Sequence, residues 1–198
     1  MLVSVRSLCL ASTSPRRRAF LQRYGLQFEC YSPDVDESEH LNESVEAYVQ
    51  RVAQDKAKRA QSRYPNAIIL AGDTTVFYQG RIVGKPSTPA EACAMLRLLR
   101  GQRHQVYSAY VILDSASGEL FAETICTEVL FRSYSEECIQ WYIQTGEPMD
   151  KAGAYSIQGV GTLLVDSIQG SYNNVVGFPV ERILPHLLQK GWIRYAPP

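Results

Sequence analysis

Six short stretches carry the residue types from which phosphate and metal chemistry is built. Ser12-Thr13-Ser14-Pro15-Arg16-Arg17-Arg18 sets hydroxyls, a helix-start proline and three guanidinium groups where a strand feeds a helix. Free N–H groups at a helix start, the helix dipole and bidentate arginines all favour phosphate oxygens. The same residues also read as a capped surface helix with solvated arginines. Gly72-Asp73-Thr74 puts a carboxylate just past a buried apolar run, where open α/β sheets place functional groups. Such an aspartate holds Mg²⁺ through oxygen or takes a proton from water; its plain alternative is a turn residue capping its own backbone.

The acidic turn Asp34-Val35-Asp36-Glu37 is either a further metal carboxylate or a solvated loop. Two lysines supply cations. Lys56 lies in a helical stretch beside Lys58 and Arg59, where a solvated face competes, and Lys85 lies in Gly84-Lys85-Pro86 between a strand and a capped helix. In the stretch Asp150 to Gly159, glycines let backbone approach a ligand closely. The Gln158 amide there offers a donor and an acceptor, either to the edge of a base or to buried backbone.

Other chemistries lack their parts. His40, His104 and His186 are far apart with no ligand spacing, and no HExxH, GxSxG or Walker P-loop occurs. Five cysteines, an odd number without CxxC spacing, read as buried reduced thiols of a cytoplasmic protein. Twenty basic residues balance twenty acidic ones. A nonspecific nucleic-acid coat needs a basic excess, so stable nucleic-acid binding is not expected and anion binding must be local. A single-strand RNA binder using Arg16–Arg18 and the twelve tyrosines is disfavoured on the same ground. No apolar run is long enough to cross a bilayer, and the N-terminal segment has the wrong flanks for a signal peptide, so a soluble protein is expected.

The positioning elements follow from periodicity. With 198 residues, 45% of them apolar, the chain suits one domain, 1–198, and a sizeable core. Leu8–Ala11 reads as a buried strand, Arg16–Tyr24 as a helix stopped by Gly25, and Phe28–Tyr31 as a second strand. Apolar positions from Val45 to Ala60 recur at helical spacing, with Asn42 placed to cap that helix. Ala67–Ala71 is a strand that ends at Gly72-Asp73-Thr74, and Gln79-Gly80 turns a hairpin between Val76–Tyr78 and Arg81–Val83. Thr88-Pro89-Ala90-Glu91 is a capping box for a helix through Leu99. Val106–Leu113 and Leu120–Phe131 are long antiparallel strands, Ser135 caps a helix through Tyr142, and a last helix runs from Val180 toward Gln189. The class is α/β: a curved mixed β-sheet with flanking helices and a central cleft.

In this order the motifs resemble the Maf family of nucleoside triphosphate pyrophosphatases over essentially the whole chain. The matching segments are Ser12-x-Ser14-Pro15-Arg16-Arg17, Asp36-Glu37, Asp55-Lys56-Ala57, Gly72-Asp73-Thr74, Gly84-Lys85-Pro86 and Asp150 to Gly159. The resemblance implies an inosine-triphosphatase-like fold of two lobes around a cleft. It also implies hydrolysis of a nucleoside triphosphate to the monophosphate and pyrophosphate with a divalent cation, Mg²⁺ or Mn²⁺, and a homodimer. By position, Asp73 matches the family's proton acceptor, and Glu37, with Asp73, the metal site. Ser12, Arg17, Lys56 and Lys85 match the residues that hold the triphosphate. Arg16, Thr74 and Gln158 match the specificity positions of the subgroup acting on dTTP and UTP. Thr75 departs from the aliphatic residue usual there. Glu37 as the base, with Asp73 a pure metal ligand, stays open. So does a module of another class, which senses nucleotide without hydrolysing it.

Overall fold

The computed structural model describes residues 1–197. The chain forms two compact units. The first comprises Met1–Asp73, Ser108–Ile125 and the segment from Gly177 on; the second comprises Thr74–Tyr107 and Cys126–Val176. In chain order the elements are β1 (Leu2–Ser4), β2 (Leu8–Ala11), α1 (Pro15–Arg23), β3 (Glu29–Tyr31), α2 (Val45–Gln61), β4 (Ile68–Tyr78), β5 (Arg81–Val83) and α3 (Pro89–Leu99). There follow β6 (Arg103–Asp114), β7 (Leu120–Phe131), α4 (Glu136–Gln144), β8 (Val165–Gln169), α5 (Tyr172–Val176), α6 (Val180–Gln189) and β9 (Ile193–Tyr195). The large sheet has the order β3-β2-β4-β6-β7-β8, with β5 on β4. Its pairings are both parallel and antiparallel, so the expected mixed α/β class holds.

In the first unit, β2 is the inner strand of a parallel ladder, with Leu10 opposite Cys30 of β3 and Leu70 of β4. Every residue of β2 is buried, as a strand covered on both faces requires. Ser14 caps α1 by accepting from the Arg17 N–H, and Pro15 sits at the first helical position, which needs no N–H. On α2 the buried stripe is Val45, Val49, Val52, Ala53, Lys56, Ala57 and Ala60. Lys56 therefore shares the apolar face of its helix and is not on a solvated one. β1 and β9 pair in a separate two-stranded sheet, and such three-residue strands are too short to show a period.

Three local expectations are corrected. The strand at Ala67–Ala71 does not stop at Gly72: β4 continues through Asp73 to Tyr78. Thr74, Thr75 and Val76 are β-branched and favour strand. Gly72 persists because a Cβ there would lie 3.0 Å from the Ala109 carbonyl oxygen. Asn42 does not cap α2; Ser44 does, accepting from the Ala47 N–H at 3.2 Å. Asn42 instead takes the left-handed conformation (φ 61°) that asparagine tolerates. All five cysteines are free, yet only Cys9 and Cys93 are buried; Cys30 and Cys126 are exposed and Cys138 intermediate. Cys30 sits on β3, the sheet's edge strand, which explains its exposure.

The second unit opens on the outer half of β4, which pairs with β5 through Gln79 and Gly80. Both turn residues have positive φ (49° and 79°), as a two-residue hairpin demands. Thr88 caps α3, while the Glu91 carboxylate reaches the Ser87 N–H at 2.7 Å. The core gathers Val76, Leu96, Leu99, Phe131, Ile139, Tyr142 and Tyr155.

His104 is buried in this core, 2.9 Å from the Tyr155 hydroxyl and edge-on to Phe131. Burial pushes its pKa from 6.5 down to about 4. The unfolded chain thus binds a proton below pH 6.5 that the folded unit refuses until about pH 4, so acid favours unfolding across that window. Thermal melts between about pH 7 and 5 are expected to show a loss of about 2 kcal/mol from this residue. His104→Phe removes that part of the slope; an unchanged slope contradicts the assignment.

Candidate functional site

The first unit builds its site around one ammonium. Lys56, turned inward by the helical period of α2, places Nζ 2.8 Å from Asp73 Oδ1 and 2.7 Å from Glu37 Oε1. The Lys56 and Asp73 side chains are about a tenth exposed, whereas Glu37 is 44% exposed. A lysine buried among valines and alanines is tolerable only when its charge is matched, and two carboxylates meet it here.

Arg17 buttresses the same carboxylate from α1. Its Nε donates to the Gly177 carbonyl at 2.9 Å, and one terminal nitrogen donates to the Gly72 carbonyl at 2.7 Å and to Ser12 Oγ at 3.2 Å. Gly72 immediately precedes Asp73, so the guanidinium fixes the backbone that carries the acid. Burial lowers the Arg17 pKa and nearby Asp73 raises it, burial being the larger influence. Ser12 Oγ also accepts from the Ser14 N–H at 3.1 Å, tying the loop after β2 to the start of α1. Arg16 is half-buried at that helix start, and Arg18 is exposed.

The acidic loop is gripped from α2 by two residues that motif reading does not single out. Tyr48 donates to the Glu37 carbonyl at 3.0 Å. Arg51 donates to the carbonyls of Asp36 at 3.4 Å and Ser38 at 2.8 Å. Three consecutive carbonyls are thus held by side chains one helical turn apart. Arg51 is itself aimed by Glu43, through a bidentate pair at 2.7 and 2.9 Å. That pairing draws the Glu43 carboxyl from 4.5 down to about 2. Tyr48 is pushed up to about 12 by burial and by the charges of Asp73 and Glu37. The sequence trace of this brace is Tyr48 and Arg51 at helical spacing beside the buried stripe.

The second unit holds the other candidates. Thr74 follows Asp73 on β4 and is half-buried. Lys85 is exposed in the loop between β5 and α3, where the Gly84 carbonyl accepts from the Gly153 N–H at 2.9 Å. Gly153 has φ 67°, and a Cβ on it would strike Val76 at 2.9 Å, so glycine is required at this close approach. Gln158 is half-buried in extended backbone, its N–H on Ser156 Oγ at 3.1 Å. The first unit therefore assembles Ser12, Arg17, Glu37, Lys56 and Asp73, and the second presents Thr74, Lys85 and Gln158.

The sequence matches the family described as Maf-like protein over residues 7–190. A protein from Geobacillus sp. (strain WCH70), "dTTP/UTP pyrophosphatase", is 45% identical over 188 residues, covering 95% of this chain and 100% of that one. A protein of the same name from Symbiobacterium thermophilum is 46% identical, covering 95% and 96%. Another, from Acinetobacter baylyi, is 43% identical over 171 residues, covering 86% and 92%.

The brace has a direct readout. Arg51→Ala is expected to raise hydrogen exchange of the amides of residues 36–40 about tenfold or more while the middle of α2 keeps its protection. Because the folded Glu43 carboxyl lies near 2, the brace is complete above about pH 4.5 and lost as pH falls toward 2. Unchanged exchange in the variant at neutral pH contradicts this role.

Proposed function

The chain belongs to the Maf-like family, and from that membership and the Lys56 hub we propose that it hydrolyses dTTP and UTP to the monophosphate and pyrophosphate. The observation that carries this reading is a single buried ammonium meeting two carboxylates, beside a buried arginine.

A triphosphate brings up to four negative charges, and its hydrolysis shifts further charge onto the leaving oxygens, so cations must be placed in advance. Lys56, Arg17, Lys85 and the Ser12 hydroxyl supply those contacts in the proposed mechanism. Asp73, aligned by Lys56 and by the Arg17 grip on Gly72, accepts the proton of the water that attacks the α-phosphorus. Glu37, on the same ammonium, supports the acid site. Asp73 and Glu37, each with one oxygen on the Lys56 ammonium, would also be the residues to hold Mg²⁺ or Mn²⁺, hard cations that bind carboxylate oxygen. Such a cation would supply charge neutralisation and Lewis-acid polarisation at the phosphate.

Arg16, Thr74 and Gln158 select the pyrimidine. The Gln158 amide donates to a ring carbonyl and accepts from N3–H, the pattern shared by uracil and thymine. We propose the same chain as one Maf-like domain, 1–198, acting as a cytoplasmic homodimer. Among the described residues no helix is long and apolar enough to cross a membrane.

Incubating the protein with a panel of nucleoside triphosphates and Mg²⁺ or Mn²⁺, and measuring pyrophosphate, tests the reading. Turnover of dTTP and UTP is expected, falling about a thousandfold in Asp73→Asn with nucleotide binding retained. No pyrimidine turnover with either metal overturns it.

A further inference from the structure

We propose that Glu147 and Tyr142 are positioning residues for base selectivity, acting by holding both flanks of Gln158. The inference rests on the reading of Gln158 above and names what makes that reading selective. A primary amide that turns over exchanges its donor for its acceptor, and a turned amide suits cytosine as well as uracil. Which edge of the base the amide can meet is set by where its backbone stands, so selectivity depends on the loop that carries Gln158 being held in place.

Tyr142 is fully buried on α4, and its hydroxyl accepts from the Ser156 N–H at 3.1 Å while donating to Glu147 Oε1 at 3.0 Å. Glu147 Oε1 also accepts from the Gly161 N–H at 3.0 Å, and Oε2 accepts from the Val160 N–H at 3.2 Å. One phenol–carboxylate pair thus ties the backbone two residues before Gln158 and two and three residues after it. Inside that bracket, Ser156 Oγ takes the Gln158 N–H at 3.1 Å, and Thr162 Oγ1 donates to the Ile157 carbonyl at 2.7 Å.

The glycines show how closely the carboxylate approaches. A Cβ on Gly159, at φ +66°, would lie 2.3 Å from Glu147 Oε2, and one on Gly161 would lie 2.5 Å from the Tyr142 hydroxyl. Gly159 is also required by its positive φ, and a Cβ on Gly161 would meet the Ser156 carbonyl at 2.4 Å as well, so the pair is one of the close approaches these two glycines admit. Glu147 carries a charge, so its bonds to the amides are charge-assisted and stronger than neutral ones. Burial, with the charge of Glu147 added, raises the Tyr142 pKa, and the phenol stays a donor at working pH.

Glu147→Gln keeps the shape but turns an N–H toward an N–H. The test compares kcat and KM for UTP and CTP, the competitive Ki of inorganic tripolyphosphate, and the melting temperature. The expected result is a UTP-over-CTP preference reduced about tenfold through KM, with the tripolyphosphate Ki within about twofold of the unaltered chain. Tyr142→Phe is expected to move the preference the same way, and it decides the matter if Glu147→Gln does not fold. An unchanged preference, or a tripolyphosphate Ki that rises in step with KM, overturns the inference while leaving the pyrophosphatase reading intact. Absence of UTP turnover in the unaltered chain overturns both.

Discussion

A lysine ammonium drawn onto the apolar face of a helix is the constraint around which the first unit is arranged. Lys56 occupies a stripe otherwise made of Val and Ala, and leaving its charge unmatched there would cost several kcal/mol. Asp73 and Glu37 remove that cost, and each must then be delivered to the same point. β4 delivers Asp73 because Gly72 admits the Ala109 carbonyl and Arg17 clamps the Gly72 carbonyl. α2 delivers Glu37 because Tyr48 and Arg51 hold the carbonyls of residues 36–38.

The arrangement joins stability and chemistry in the same contacts. Structural burial of Arg17 and Lys56 prearranges positive charge, and prearranged charge is what a polyphosphate reaction needs most. Arg17, assigned by resemblance to the phosphate, makes several of its bonds to protein: to Gly72, Gly177 and Ser12. Its contribution therefore includes the shape of the acid site as well as its charge. In the second unit the same logic appears with the signs reversed, since Glu147 gathers backbone N–H groups around the Gln158 loop.

Much of this was legible in the residues, and the exceptions have physical causes. Helix limits came out well where caps are local and chemical, as at Ser14, Thr88 and Ser135. The strand runs on through Gly72, where glycine suggests a break, because this glycine answers to a carbonyl more than thirty residues away in sequence. Lys56 shows the opposite case: its neighbours Lys58 and Arg59 suggest a wet face, but the period set by Val49, Val52 and Ala60 turns it inward. The family motifs bring out Asp73, Glu37 and Lys56, yet not Tyr48, Arg51 or Glu43. Those three act on backbone carbonyls and on one another, and no spacing rule encodes the fold of the loop they hold. β1 and β9, three residues each, gave no periodic pattern to read.

The central claim is that the Lys56 charge, and not merely its bulk, organises the Asp73 and Glu37 carboxylates for the proposed reaction. Pyrophosphate release from UTP by Lys56→Met, a side chain of similar length without the charge, tests it directly. The account predicts a folded protein whose turnover falls about a hundredfold or more. Turnover within about twofold of the unaltered chain would contradict it.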